Sequence, residues 1–436
     1  MKVIVLGAGI IGISTAWYLA EEGHEVTVVD RQPDAALETS FANGAQISVS
    51  FCEPWANAGA PLKVLKWLLR DDSPLLFRPR LDPYQWRWGL RFLMQCTDAA
   101  FARNVEELVA LGAYSHASLK SLVAQTGIEY NRLERGILHF FSSQSDFDAG
   151  AAGAELMRTH GVDRRVLSRD EVLKIEPALA SFGPNIHGGT YTPSDESGDA
   201  RAFTQQLGRL CAERGVKFLY QHDIVALAQA GGAISAVKVR DQASTEERLL
   251  RADHFVAATG PYTGSLLRPL GVDLDIYPAK GYSATLRLLR PELASTVSLL
   301  DDTRKIAISR LGDHIRIAGT AEMAGYDTRL DSATAQVRCA ALVKRYEELF
   351  PGVADASQPN FWTGLRPSTP TNIPYIGRSR IRNLWLNAGH GTLGWTHGAG
   401  SGRALAELMS GKRPQLNFGF CGPALPEARP TVALAA

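Results

Sequence analysis

Three glycines and an acid carry the first chemical signal. Gly7, Gly9 and Gly12 are spaced as G-x-G-x-x-G, and Asp30 follows Gly7 by 23 residues. In such a turn the first glycine permits a tight bend, the second lets backbone approach a pyrophosphate, and the third lets helix pack on strand. The helix N-terminus then holds phosphate and the acid accepts from a ribose hydroxyl. Ser40, Asn43, Gly44 and Gln46 lie in a small polar stretch suited to an anion, though an ordinary capped turn has the same composition. Ala258, Thr259 and Gly260 close an apolar run and place small residues beside whatever the first turn binds. A second G-x-G-x-x-G runs from Gly389 to Gly394. No acid-terminated strand follows it, so it predicts a lone helix N-terminus that stabilises negative charge, as on the N1–C2=O edge of a reduced flavin. Arg366, in the rigid apolar setting Gly364–Pro370, offers a planar fork that matches a carboxylate; a structural ion pair is the equal alternative.

The elements that must position these residues are legible around them. Val3–Leu6 is a β-branched apolar run, as in a buried parallel strand, and Ala16, Leu19 and Ala20 recur at helical spacing. Gly23 ends that helix, and Val26, Val28 and Val29 form a second strand closing on Asp30. A secretory signal also begins with a cation before an apolar run, but fixed glycine offsets and the continuing β-α-β pattern argue against one. Further on, the sequence predicts a helix over 200–214, a hairpin turning at Gly231-Gly232, and alternating strands over 277–288 and 306–320. A helix over 333–350 and a buried strand over 384–388 follow. The Ala- and Pro-rich end, 419–436, reads as a disordered tail.

At 436 residues, 45% hydrophobic and 21% charged, the chain reads as an ordinary globular protein of two to three domain lengths. A net charge of +1 gives no footprint for nucleic acid. Five scattered cysteines without a C-x-x-C pair fit reduced thiols in a cytoplasmic compartment, with no metal site. No apolar run is long enough to cross a membrane. Residues 51–103 stand apart, holding Trp55, Trp67, Trp86 and Trp88, with Lys63, Lys66, Arg70, Arg78, Arg80, Arg87, Arg91 and Arg103 in the same stretch. Such a segment can lie on a membrane surface, or it can be core tryptophans beneath a solvated basic face.

GAGIIG with Asp30, TSFANG (39–44), AATG (257–260), GLRPSTPTNIPYIG (364–377) and GHGTLGWTHG (389–398) together resemble the glycine oxidase/D-amino acid oxidase superfamily of flavoenzymes, which includes sarcosine oxidases. The long stretch Phe51–Trp88, with YTPSDESGD (191–199), YPAKGYSATL (277–286) and RIAGTAE (316–322), is similar to the bacterial D-amino acid dehydrogenase small-subunit family. The resemblance implies FAD, oxidative deamination of D-amino acids, a respiratory or quinone acceptor, and peripheral contact with the inner membrane. Sarcosine oxidases attach flavin through a cysteine in the segment matching GLRP; Gly364 stands there, so the flavin is expected to be non-covalent.

An α/β architecture with interleaved domains follows as the expectation. A Rossmann-like FAD domain takes 1–85, 191–272 and 356–418, and 86–190 with 273–355 form a substrate domain on an antiparallel sheet. The cofactor contacts expected are Val3, Gly7, Gly9, Ile11, Gly12, Asp30, Arg31, Ser40, Asn43, Gly44, Gln46, Ala258, Thr259, Gly260, Gly389, Gly391, Thr392, Leu393 and Gly394. Arg366 is expected to bind the substrate carboxylate and place Cα–H against flavin N5, the amine reacting in its neutral form. Tyr277, Lys280, Tyr282 and the Ala318–Glu322 strand are expected to line the substrate pocket. An oxygen-using oxidase for glycine, sarcosine or proline, or a flavin-binding subunit without turnover, are the alternatives.

Overall fold

The computed structural model describes residues 1–62 and 75–422. Strand Lys2–Leu6, helix Ile10–Glu21 and strand Glu25–Val29 form the expected β-α-β unit. The strands run parallel, from Lys2↔Glu25 to Leu6↔Val29. Strand His254–Ala257 flanks the first strand on its other side, followed by Leu384–Ala388, both parallel to it. Tyr375–Arg378 adds an antiparallel edge, and Lys217–Leu219 completes six strands. Three adjacent parallel strands therefore end side by side, in Gly7, Ala258 and Gly389, at one carboxyl edge.

Close packing behind that edge depends on glycine. A Cβ on Gly398 would lie 2.8 Å from Ile10 Cγ1, and one on Gly402 would lie 2.7 Å from the Ser14 carbonyl carbon. Helix Gly394–Met409 thus seats directly on helix Ile10–Glu21. On its other side a Cβ at Gly400 would come within 2.5 Å of Ser115 Cα, in the long helix Asp98–Thr126. Leu111, Leu119 and Leu122 of that helix join the core formed by Ile13 and Trp17. This segment, assigned by sequence to the substrate domain, packs with the dinucleotide sheet because its apolar stripe faces the two glycine-bearing helices.

A second, larger sheet roofs the carboxyl edge. Its order is Asn360–Ser368, Tyr277–Arg287, His314–Met323, Ile306–Leu311, Ser298–Asp301, Ile137–Phe141, Gly188–Thr192 and Arg165–Ser168, with Leu75–Phe77 beside His314–Met323. It is mostly antiparallel, as expected, but Ser298–Asp301 runs parallel to Ile137–Phe141, and Leu75–Phe77 parallel to residues 321–323. The expected single strand over 306–320 is a hairpin turning at Gly312 (φ +64). Asn360–Ser368 and Leu75–Phe77 were grouped by sequence with the cofactor domain. Nine backbone pairs, Tyr277↔Ser368 to Thr285↔Asn360, fix the first of these in the roof. A separate hairpin, His222–Ala230 and Ala233–Asp241, turns at Gly231-Gly232 as predicted, both at positive φ.

The expected tail is paired at its start. Cys421 N–H donates to the Ile376 carbonyl at 2.7 Å, and Gly419 N–H donates to Glu107 at 3.1 Å. Residues 423–436 lie outside the described residues, as do Lys63, Lys66, Trp67 and Arg70 of the basic tryptophan-bearing segment.

Candidate active site

Between the carboxyl edge and the roof lies a cavity of about 1180 Å³. Pockets for drug-sized ligands measure roughly 300–1,000 Å³, so this one has room for something larger. One end is built by the first glycine turn. Gly7 adopts φ +109, and a Cβ there would stand 2.5 Å from the Ala258 carbonyl oxygen. A Cβ on Gly12 would lie 1.9 Å from the Gly7 carbonyl oxygen, which is the helix-on-strand contact the motif predicts. Gly9 is different: among the described residues only Ser40 Oγ, at 3.5 Å, is near its missing Cβ, so a ligand has room to approach the backbone. Ser40 Oγ also accepts from Ile10 N–H at 3.1 Å, at the start of a helix that has no side-chain cap of its own. Asp30 ends the second strand and accepts from Ala8 N–H at 2.6 Å and Gln32 N–H at 2.8 Å. Burial raises the pKa of its carboxyl, against these two donors.

Gly7, Gly9, Ile11, Asp30, Arg31, Ser40, Asn43, Gly44, Gln46, Ala258, Thr259, Gly260, Gly391, Thr392, Leu393 and Gly394 all line this one cavity. Val3, Gly12 and Gly389 do not. Val3 is 1% exposed and pairs mid-sheet with His254 and Val26, at the far end of its strand from the turn. Gly12 is covered by Gly7, and Gly389 (φ +87) is pressed against Thr369 Cγ2, 2.8 Å from its missing Cβ.

The other end is built by the roof. Arg366 lines the cavity with its guanidinium over Gly281, where a Cβ would come within 2.5 Å of Arg366 Cζ. Its Nη1 donates to the Thr320 carbonyl at 2.8 Å. No carboxylate pairs with it among the described residues; the charged neighbour that acts on it is Arg338. Burial, reinforced by that second cation, pulls its pKa down to about 10. The structural ion pair that was the alternative for Arg366 is therefore absent among the described residues. Thr320 sits in a β-bulge, where Thr320 and Ala321 face Gly281 between the pairs Lys280↔Glu322 and Tyr282↔Gly319. Its φ of +59 is a strained value for a β-branched residue, and its carbonyl is thereby aimed at Arg366.

The remaining expected pocket residues divide. Tyr282 and Ala318–Ala321 line the cavity, although the Tyr282 hydroxyl donates to buried Glu322. Lys280 and Tyr277 do not line it. Lys280 Nζ donates to the Arg329 carbonyl at 2.8 Å, and the Tyr277 hydroxyl donates to Asp82 at 3.1 Å. Successive residues of the strand alternate faces, so Gly281, and not Lys280, shares the face of Arg366. A glycine inside an otherwise regular strand pattern signals close approach, and that signal was available in the sequence.

Of the described tryptophans within residues 51–103, Trp55 lines the cavity, Trp88 is buried and donates to the Ser368 carbonyl at 2.8 Å, and Trp86 is exposed. Arg87 pairs with Asp273, and Arg91 with Asp275, so these two cations are neutralised within the protein. Asp195 was not singled out by sequence. Its buried carboxylate accepts from Ser48 Oγ at 2.7 Å and Val49 N–H at 3.0 Å, pinning the loop that carries cavity residues Ser48 and Phe51. None of the five cysteines lines the cavity, and no metal-binding cluster occurs among the described residues.

Comparison with known proteins shows the family. Residues 2–408 match the DAO family, described as FAD dependent oxidoreductase. The D-amino acid dehydrogenase of Dechloromonas aromatica (strain RCB) is 51% identical over 420 residues, covering 96% of this chain and 99% of that one. Among solved structures, L-proline dehydrogenase from P. horikoshii superposes with a TM-score of 0.72 at 17% identity, covering 95% of this chain and 94% of the other. Glycine oxidase from Bacillus cereus ATCC 14579 does so at 0.71 and 21% identity, covering 94% and 98%. The two structures share the fold.

Proposed function

Because the chain belongs to the FAD dependent oxidoreductase family, we propose that it oxidises D-amino acids such as D-alanine to 2-oxo acids and ammonia, with FAD held non-covalently and a respiratory quinone as electron acceptor. Substrate class and configuration are those of the D-amino acid dehydrogenase relative. The observation that carries the substrate assignment is Arg366, a cavity-facing guanidinium with no acidic partner among the described residues. A buried cation left without a counter-ion is expensive unless a ligand supplies one, and a carboxylate matches its fork bidentately.

The chain's residues fit FAD. Gly9 leaves backbone open to a pyrophosphate, Ser40 lies at the helix N-terminus, and Asp30 ends the strand beside them. FAD supplies the two-electron acceptance that no side chain here can provide. Arg366 fixes the carboxylate end of the substrate, Gly281 makes room for the guanidinium, and the Thr320 carbonyl holds it in place. The roof and Trp55 wall the space between.

For the acceptor and the membrane, support comes from helix Pro83–Gln95. Trp86, Leu90, Leu93 and Met94 are 54%, 61%, 53% and 59% exposed, on one side of a helix whose Phe92 lines the cavity. No helix among the described residues is long and apolar enough to cross a membrane, so contact would be at the surface. The test is turnover by the purified protein with a quinone analogue. One 2-oxo acid and one ammonia per D-alanine consumed is expected, with oxygen a poor substitute. Equal turnover with oxygen would refute the acceptor, and no product would refute the activity.

A further inference from the structure

His390 lies between the glycines of the second motif and lines the cavity. It is 2% exposed, yet neither Nδ1 nor Nε2 has a hydrogen-bond partner among the described residues. Burial keeps its pKa well below the ordinary histidine value, so the ring is neutral, with one donor and one acceptor nitrogen. Native proteins rarely bury a polar group without a partner. Its position shows where a partner would come from. Gly391 N–H donates to the Pro367 carbonyl at 2.9 Å, which puts His390 against the strand that carries Arg366. Behind it His397, with ring centroids 6.4 Å apart, contacts Cys52 and does not line the cavity.

We propose that His390 is a ligand-contacting residue of the reacting centre, its imidazole N–H donating to an oxygen acceptor on the group bound beside Arg366. Two groups would present such an oxygen if bound there, the substrate carboxylate and the pyrimidine edge of the flavin. The inference rests on the FAD and carboxylate roles proposed above. Because one of its readouts needs no substrate, its failure is distinguishable from theirs.

The experiment compares wild type, His390→Leu and His390→Gln as FAD-loaded proteins. It measures the dissociation constant of propanoate, from perturbation of the flavin spectrum, and the flavin midpoint potential. A tenfold or greater weakening of propanoate in His390→Leu identifies the carboxylate as the acceptor. A tenfold loss in the reduction equilibrium, about 30 mV for a two-electron couple, identifies the flavin oxygen. Glutamine, which keeps an amide donor, recovers part of whichever loss occurs. If leucine prevents FAD loading, His390→Phe is measured in the same way. His397→Asn serves as the control and moves neither quantity. Both quantities within twofold of wild type in the loaded His390→Leu or His390→Phe protein would overturn the proposal. If Arg366→Ala leaves propanoate binding unchanged while His390→Leu shifts the potential, the carboxylate role of Arg366 fails and the His390 contact stands.

Discussion

Replacing Arg366 by alanine removes the cavity's unpaired guanidinium and nothing else that holds FAD. Charge-assisted hydrogen bonds contribute about 1.5–3 kcal/mol. At 1.4 kcal/mol per decade, KM for D-alanine should rise between about tenfold and about 140-fold. Folding should not suffer, because the side chain makes one hydrogen bond to the described residues and is placed beside a second cation, Arg338. Gly281→Ala provides an independent check. A Cβ there would stand 2.5 Å from Arg366 Cζ, so the charge remains but its position changes. The expected KM increase is of the same order and smaller than for Arg366→Ala. The pH dependence is worked with propanoate, which has no amine. Burial lowers the guanidinium's pKa to about 10 and leaves it charged below that, so propanoate affinity should hold between pH 7 and 9. Steady-state kinetics and inhibition by propanoate measure all three. An Arg366→Ala protein with full FAD content and unchanged KM and propanoate affinity would refute the reasoning.

Asp30→Ala should weaken FAD by about tenfold or more, since it removes the acid and frees the Ala8 and Gln32 N–H groups; titration of apoprotein with FAD measures it, and an unchanged affinity counts against the ribose role. Gly12→Ala should unfold at markedly lower denaturant, by over about 3 kcal/mol, because its Cβ would overlap the Gly7 carbonyl; an unchanged urea midpoint would contradict the packing. His139 and His397 are buried neutral, with folded pKa values of about 4 and about 3, below the ordinary 6.5. The unfolded chain therefore binds more protons, and stability should fall as pH drops below 6.5, by up to about 1.4 kcal/mol per pH unit per histidine. His397→Asn should flatten that slope in urea melts between pH 7 and 5, and an unaltered slope would remove His397 as a source. Trp86→Ser, Leu90→Ser and Leu93→Ser together should lower co-sedimentation with anionic lipid vesicles without changing dye-linked activity; undiminished sedimentation would relocate the membrane contact.

The dinucleotide end of the site was legible because its chemistry is local. A glycine turn, its strand and helix, and the acid at the next strand's end lie within 30 residues, and each has a period or offset that sequence displays. Hairpin Gly231-Gly232 was legible for the same reason. What escaped was set by pairing between distant segments. Asn360–Ser368 reads as part of the cofactor domain by proximity in the chain, yet nine backbone pairs hold it in the roof. Lys280 was favoured over Gly281 because a charged side chain advertises chemistry, while the pairing Ala279↔Arg366, which puts Gly281 on the face of Arg366, joins segments far apart in the chain. Val3 was expected in the cofactor set, although it lies near the start of strand Lys2–Leu6, away from the turn that follows it. His390 was passed over between two informative glycines, since only the fold reveals that its ring has no partner.

The central claim is tested most directly by mixing the purified yellow protein anaerobically with D-alanine, and separately with L-alanine and L-proline, while following the visible flavin band. Bleaching by D-alanine alone, reversed quickly by a quinone analogue and slowly by air, is the predicted result. Bleaching by L-proline only, or by none of the three, would contradict the substrate assignment and leave the fold and its FAD site standing.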